Sequence, residues 1–239
     1  MGIKIFWAGD STVAPNTYLT WPQTGIGQAL GLYLKPEIQI CNHAVNGRST
    51  KSFIDEARLA AIYNVIAAGD YLFIQFGHND EKREDPSRFT ESFGEFMENL
   101  ERYVNAARNK GALPVFITPL YRRLFTESKT LVENTHLDYP YAMKETGKRL
   151  DVPVIDLCAS SRELIAKTPL PVSEKWFMNL QPGEYPSCQE GKVDNTHLTY
   201  TGAVIFAELV AEGLKSLGGR YEELLLEPEN LRMPVKTEG

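Results

Sequence analysis

The chain has 239 residues, a formal net charge of −6, 43% hydrophobic residues and 10% aromatic residues. That is enough apolar material for one sizeable core, and the acidic balance excludes a protein that grips nucleic acid through a broad basic face. No apolar run approaches the length that spans a bilayer, and the start runs into a strand with no cationic, apolar leader, so the expectation is a cytoplasmic protein without a membrane partner.

The predicted elements alternate between strand and helix. Residues 3–8 form a short apolar run stopped by Gly9, a buried strand. Residues 23–34 read as a helix with Ile26, Leu30 and Tyr33 on one face, and 37–44 as a second strand. Residues 51–68 carry Phe53, Ile54, Ala57, Ala61 and Val65 at helical spacing, with Gly69 as the stop. The third strand, 70–76, is the clearest. A polar stretch precedes a long helix over 89–110, followed by a fourth strand at 113–118. Residues 131–150 are helical, with Pro140 either interrupting the helix or marking its true start. A fifth strand at 152–157, a short helix at 160–167, an irregular stretch over 168–193 and a last helix over 199–217 complete one domain. This domain spans 1–218, with a charged tail over 219–239.

Strands alternating with helices imply a parallel sheet covered on both faces. The fold class is α/β, a single-domain flavodoxin-like three-layer α/β/α sandwich around a five-stranded parallel sheet. In such sheets ligands lie beyond the carboxyl ends of the strands, near a switch in strand order. Ser11, Gly47 and Asn79 follow the first, second and third strands and therefore face one crevice. Cys41, Cys158 and Cys188 are odd in number and widely spaced, which fits neither a disulfide framework nor a zinc motif. Cys41, within an apolar strand, reads as a buried thiol.

Serine is a weak nucleophile until a base takes its proton, and a histidine base works best when a carboxylate fixes its tautomer. The chain supplies Ser11 near its start, and Asp194 and His197 three residues apart near its end. Four blocks stand in order: Gly9-Asp10-Ser11-Thr12, Asn42-His43-Ala44-Val45-Asn46-Gly47-Arg48-Ser49, Gly77-His78-Asn79-Asp80 and Asp194-Asn195-Thr196-His197. Together they resemble the SGNH (GDSL-like) hydrolase superfamily and, within it, the rhamnogalacturonan acetylesterases, over about residues 3–217.

That resemblance implies the SGNH hydrolase fold and a serine esterase acting on acetylated oligosaccharides of pectic rhamnogalacturonan, with no metal and no cofactor. Ser11 would be the nucleophile, His197 the general base and Asp194 its orienting carboxylate. The backbone N–H groups of Ser11 and Gly47 and the side-chain amide of Asn79 would form the oxyanion hole.

Candidate substrate contacts each have two readings. Arg48 pairs with a carboxylate of the protein or with a uronic acid, and His78 is structural or lines the pocket. Trp176 and Tyr185 border the pocket as flat faces for sugar rings or form a small core under the irregular stretch; Tyr18 and Trp21 share that choice. Asp80 is expected to order the loop that holds Asn79. Among competing functions, a lipase or thioesterase of the same superfamily would need a long apolar acyl groove. A metallophosphoesterase would draw on Asp10, His78, Asn79, Asp80, Asp194 and His197, but no Asp-x-His pair follows the first strand. A nucleotide-binding module lacks its glycine-rich phosphate loop there.

Overall fold

The computed structural model describes residues 2–227. Five strands, β1 (Lys4–Gly9), β2 (Gln39–Asn42), β3 (Tyr71–Gln75), β4 (Leu113–Ile117) and β5 (Val154–Ile155), form one parallel sheet in the order β2-β1-β3-β4-β5. Alternation along each strand divides the core in two. Ile5, Trp7, Tyr71, Phe73, Val115 and Ile117 point to one face. There they meet α1 (Ile26–Ala29), α6 (Leu157–Lys167) and α8 (Tyr200–Leu217). Phe6, Ala8, Leu72, Ile74 and Phe116 point to the other face. That face is covered by α2 (Thr50–Asp55), α3 (Arg58–Tyr63), α4 (Glu95–Arg108) and α5 (Tyr139–Leu150). The expected α/β/α sandwich is the observed fold.

The chain leaves β1 for one neighbour and returns to β3 on the other side. The switch in strand order therefore lies between β1 and β3, and the loop after each opens onto the same crevice.

Several helices are shorter than the apolar spacing suggests, each for a local reason. The helix expected at 23–34 is only α1 followed by a 3₁₀ turn, Leu30–Tyr33. The one at 51–68 breaks into α2 and α3 where Ala57 adopts φ 56°, a left-handed conformation that ends a helical run. The long helix at 89–110 starts only at Glu95. Pro140 falls in the first turn of α5, so that helix begins beside the proline rather than at residue 131. Helix α6 starts at Leu157 because Asp156 caps it, its carboxylate accepting from Ala159 N–H. The irregular stretch holds the short α7 (Leu170–Glu174). Cys41 is half-buried on edge strand β2, and its thiol pKa is raised chiefly by burial.

Residues just beyond 218 belong to the folded body rather than to a loose tail. A short α9 (Gly219–Glu222) follows, Leu224 is buried, and the Tyr71 hydroxyl donates to the Arg220 carbonyl at 2.9 Å. Leu34 and Leu225 also form an antiparallel bridge. The remainder of the expected tail, 228–239, lies outside the described residues. No described helix is long and apolar enough to cross a membrane.

Candidate active site

Ser11 opens a single helical turn just past β1. The Asp10 carbonyl accepts from Val13 and Ala14 N–H at 3.2 and 3.0 Å. The Asp10 carboxylate accepts from the Thr12 N–H and hydroxyl at 2.9 and 2.8 Å. This double clamp fixes the turn that presents the serine. Asp194 and His197 lie on the turn into α8, whose first N–H groups are capped by the Thr199 hydroxyl, accepting from Gly202.

The three side chains form one line. His197 Nε2 is 2.9 Å from Ser11 Oγ, and His197 Nδ1 is 2.7 Å from Asp194 Oδ2. The other Asp194 oxygen accepts from the N–H groups of Thr196 and His197, both at 2.9 Å. Lys192 Nζ lies 2.9 Å from Oδ2. Burial alone would raise the Asp194 carboxyl. The His197 side-chain and backbone hydrogen bonds, its charge and Lys192 outweigh burial and hold the carboxyl well below the usual range. An ionised Asp194 makes Nδ1 the donor, leaving the Nε2 lone pair facing the serine hydroxyl.

The opposite wall is built by the loops after β2 and β3. Gly47 has φ 78°, a conformation open to glycine without strain. Asn79 Nδ2 donates to the Arg48 carbonyl at 3.0 Å. That bond uses one of the two amide hydrogens, fixes the amide plane and leaves the second hydrogen for a ligand. The N–H groups of Ser11 and Gly47 donate to no backbone carbonyl among the described residues. Asp80, the neighbour of Asn79, ties this loop to α2: its Oδ1 accepts from Thr50 N–H at 3.0 Å and from the Thr90 hydroxyl at 3.1 Å. Burial pushes its carboxyl up to about 7, against the pull of those donors.

Ser11, Gly47, Asn79, Asp194 and His197 together line one cavity of about 420 Å³. The arrangement can deprotonate a hydroxyl, add it to a carbonyl and receive the resulting negative charge on three donors.

Beneath it, His78 Nδ1 approaches Asp10 Oδ2 to 3.2 Å, yet the pair is not aligned for a hydrogen bond. Burial raises the Asp10 carboxyl, and the neighbouring His78 followed by Thr12 brings it below its ordinary value. Among the described residues no three His, Cys, Asp or Glu side chains gather as a metal cluster.

Of the four sequence-level candidates for substrate contact, one reaches the cavity. His78 lines it while remaining buried. Arg48 does not: it is paired with Glu56 at 2.9 Å and donates to the Asn46 carbonyl. Trp176 is 7% exposed and packs edge-on to Phe206 at 5.8 Å, so it is core. Tyr185, half-buried on the irregular stretch, is not among the lining residues.

The cations of the cavity are instead Lys82, Arg88 and Arg122. Arg88 is paired with Asp85 and Arg122 with Glu81, leaving Lys82 with no carboxylate partner among the described residues. The charged stretch directly after the Gly77-His78-Asn79-Asp80 block, residues 81–88, mixes three acidic and three basic residues and includes Lys82 and Arg88. Arg122 follows β4 and carries no motif.

The sequence matches the model of the GDSL-like Lipase/Acylhydrolase family over residues 7–203. It is 43% identical over 227 residues to the rhamnogalacturonan acetylesterase RhgT of Bacillus subtilis, covering 95% of this chain and 96% of that one. It is 40% identical over 218 residues to the probable rhamnogalacturonan acetylesterase YesY of the same organism, covering 91% and 95%. Among solved structures it resembles the Bacillus subtilis protein YxiM, with a TM-score of 0.76 and 26% identity. The match covers 92% of this chain and 58% of YxiM.

Proposed function

The chain belongs to the GDSL-like lipase and acylhydrolase family and is a carboxylic ester hydrolase, and we propose that it removes O-acetyl groups from rhamnogalacturonan oligosaccharides through an acyl-serine intermediate. The observation that carries this reading is the unbroken line from Ser11 Oγ through His197 to Asp194, at 2.9 and 2.7 Å, opening onto the cavity.

In the first half-reaction His197 Nε2 takes the Ser11 proton as Oγ adds to the acetyl carbonyl. The carbonyl oxygen becomes negative and is held by the N–H groups of Ser11 and Gly47 and the free hydrogen of Asn79 Nδ2. The imidazolium, stabilised by Asp194, then gives its proton to the departing sugar oxygen. In the second half-reaction His197 deprotonates a water that attacks the acetyl-serine. Acetate leaves, and the proton returns to Ser11.

Charge supports the pectic substrate. Rhamnogalacturonan carries a carboxylate on every galacturonate, and the wall beside Asn79 presents the unpaired Lys82 inside a protein of net charge −6. An unpaired ammonium beside the reacting ester favours an acyl donor on an anionic sugar over a neutral lipid. The cavity of about 420 Å³ holds a sugar unit but has no long apolar channel for a fatty acyl chain.

The test is acetate release from p-nitrophenyl acetate and from acetylated pectic oligosaccharides, by the parent and by Ser11→Ala, with EDTA present throughout. Activity of the parent on both substrates and its loss in the variant are expected. Cleavage of the simple ester alone would remove the pectic assignment. Equal activity of the two proteins, or loss of activity with EDTA, would remove the serine mechanism.

A further inference from the structure

A second hollow adjoins the catalytic cavity, with Gln23 in the wall of both. It measures about 500 Å³, and its walls include Asn16, Tyr18, Trp21, Gln23, Gln28 and Tyr200. Three of these are large rings standing well out of the core: Trp21 is 47% exposed, Tyr200 45% and Tyr18 83%. The Trp21 and Tyr200 rings lie 5.9 Å apart and inclined at 39°, which makes a shallow V. Single exposed apolar side chains are ordinary, but three rings converging on one concavity are not. Ring faces of this kind suit the C–H face of a pyranose, and an amide beside them suits its hydroxyls.

Gln23 connects the two hollows, since it lines both. Its side-chain amide makes no hydrogen bond among the described residues, so it is free to read a ligand. Gln28 is the brace of the wall: its Oε1 accepts from the N–H groups of Asn16 and Gly25, and its Nε2 donates to the Asn16 carbonyl, all at 2.9–3.0 Å.

The rings are locked to the catalytic residues through the backbone. Trp21 lies on the same loop as Ser11, and Tyr200 stands three residues beyond His197. The two segments are stitched together by the Gln23–Thr199 bridge and by Thr24 N–H donating to the Leu198 carbonyl at 3.0 Å. The spacing between platform and serine is therefore set by the fold.

We propose that this hollow is a second sugar subsite, which takes the neutral pyranose next to the uronate being deacetylated. The proposal rests on the pectic reading above. Lys82 comes from the loop after β3, and the aromatic platform from the β1 loop and the start of α8, so different loops carry the two. A chain that alternates acidic and neutral sugars would place a carboxylate at Lys82 and the following neutral ring on Trp21 and Tyr200. Its acetyl ester would then sit over the serine.

The experiment has two arms. Calorimetric titration of the full chain with a non-acetylated rhamnogalacturonan oligosaccharide involves no turnover and reads binding alone, the subsite's share being the difference between parent and ring variants. Binding by the parent and a weakening of about tenfold in Trp21→Ala and in Tyr200→Ala, with recovery in Trp21→Phe, are expected for loss of a large aromatic contact. In the second arm, kcat/KM on the acetylated oligosaccharide should fall at least about tenfold further than on p-nitrophenyl acetate in the same variants. No binding by the parent, or equal affinity of parent and alanine variants, overturns the subsite. So does an equal loss on both esters, which marks a merely structural role. Failure of the esterase reading would show instead as activity surviving in Ser11→Ala, which leaves the titration interpretable.

Discussion

Asp194→Asn tests the catalytic line with the least change of shape. In the parent, Asp194 Oδ1 accepts two backbone N–H groups and Oδ2 faces the donors His197 Nδ1 and Lys192 Nζ. An asparagine keeps the two backbone bonds only if its carbonyl oxygen occupies the Oδ1 position. Its NH₂ then sits where Oδ2 was, donor against donor toward both His197 and Lys192. The histidine escapes by moving its proton from Nδ1 to Nε2. That proton then points at Ser11 Oγ, 2.9 Å away, where the lone pair should be. The resting base is in the wrong tautomer, and a loss on the order of 10⁴-fold in kcat is expected, about 5 kcal/mol of barrier. Initial rates on p-nitrophenyl acetate measure it, with thermal unfolding as the control for the fold. A folded variant working within tenfold of the parent would refute the orienting role and with it the tautomer argument.

Three further outcomes follow from the same geometry. Asn79→Ala removes one donor to the developing oxyanion and should lower kcat by about 10²–10³ with KM little changed, read in steady-state kinetics. Asp80→Asn should stabilise the protein increasingly as pH rises. The unfolded carboxyl releases its proton near 3.8 while the native one keeps it to about 7, so the parent loses stability across that window and the amide does not. The part of that difference that falls between pH 5 and pH 8, about 3 kcal/mol, is measured by chemical denaturation at those two values. A constant gap between the two proteins would show that Asp80 is ionised when folded. Gly202→Ala should destabilise by about 1–3 kcal/mol or more, because the added Cβ would lie 1.9 Å from the Trp176 carbonyl oxygen. The displaced strand pair also carries His197, whose carbonyl accepts from Met178 N–H, so activity should fall along with the melting temperature.

The sheet was legible because buried parallel strands are short apolar runs closed by turn residues, and that pattern depends on nothing remote. β1 and β3 lie within a residue or so of the expected bounds. Helix lengths were less legible because apolar spacing reports which face is buried, not where the backbone stops obeying it. Ala57 illustrates the gap: it continues the apolar spacing in the sequence, yet it is exposed in the fold and its left-handed backbone ends the helical run. The packing of 219–227 was hidden for a different reason. So short a segment carries no periodic signal, yet Leu224 anchors it in the core with Tyr221 and Leu225 packed beside it.

The residues of the proposed site were legible because each follows a strand or precedes a helix within a compact block, so local sequence fixes its position. Substrate contacts have no such blocks, and residue type alone decided them poorly. Arg48 has the right chemistry for a uronate, but Glu56 on α2 comes within 2.9 Å and takes the charge. Trp176 has the right surface for a sugar, but α8 passes close enough for Phe206 to bury it. Trp21 offered the same surface with the same two readings, and it stays half-exposed against Tyr200, which is itself at the surface. Both tryptophans meet α8, and what separates them is whether they meet its buried face or its exposed first residue, a long-range fact that neither flanking sequence contains. In this fold, reaction type is written in short motifs at strand ends, whereas specificity depends on which loop residues the distant helices leave uncovered.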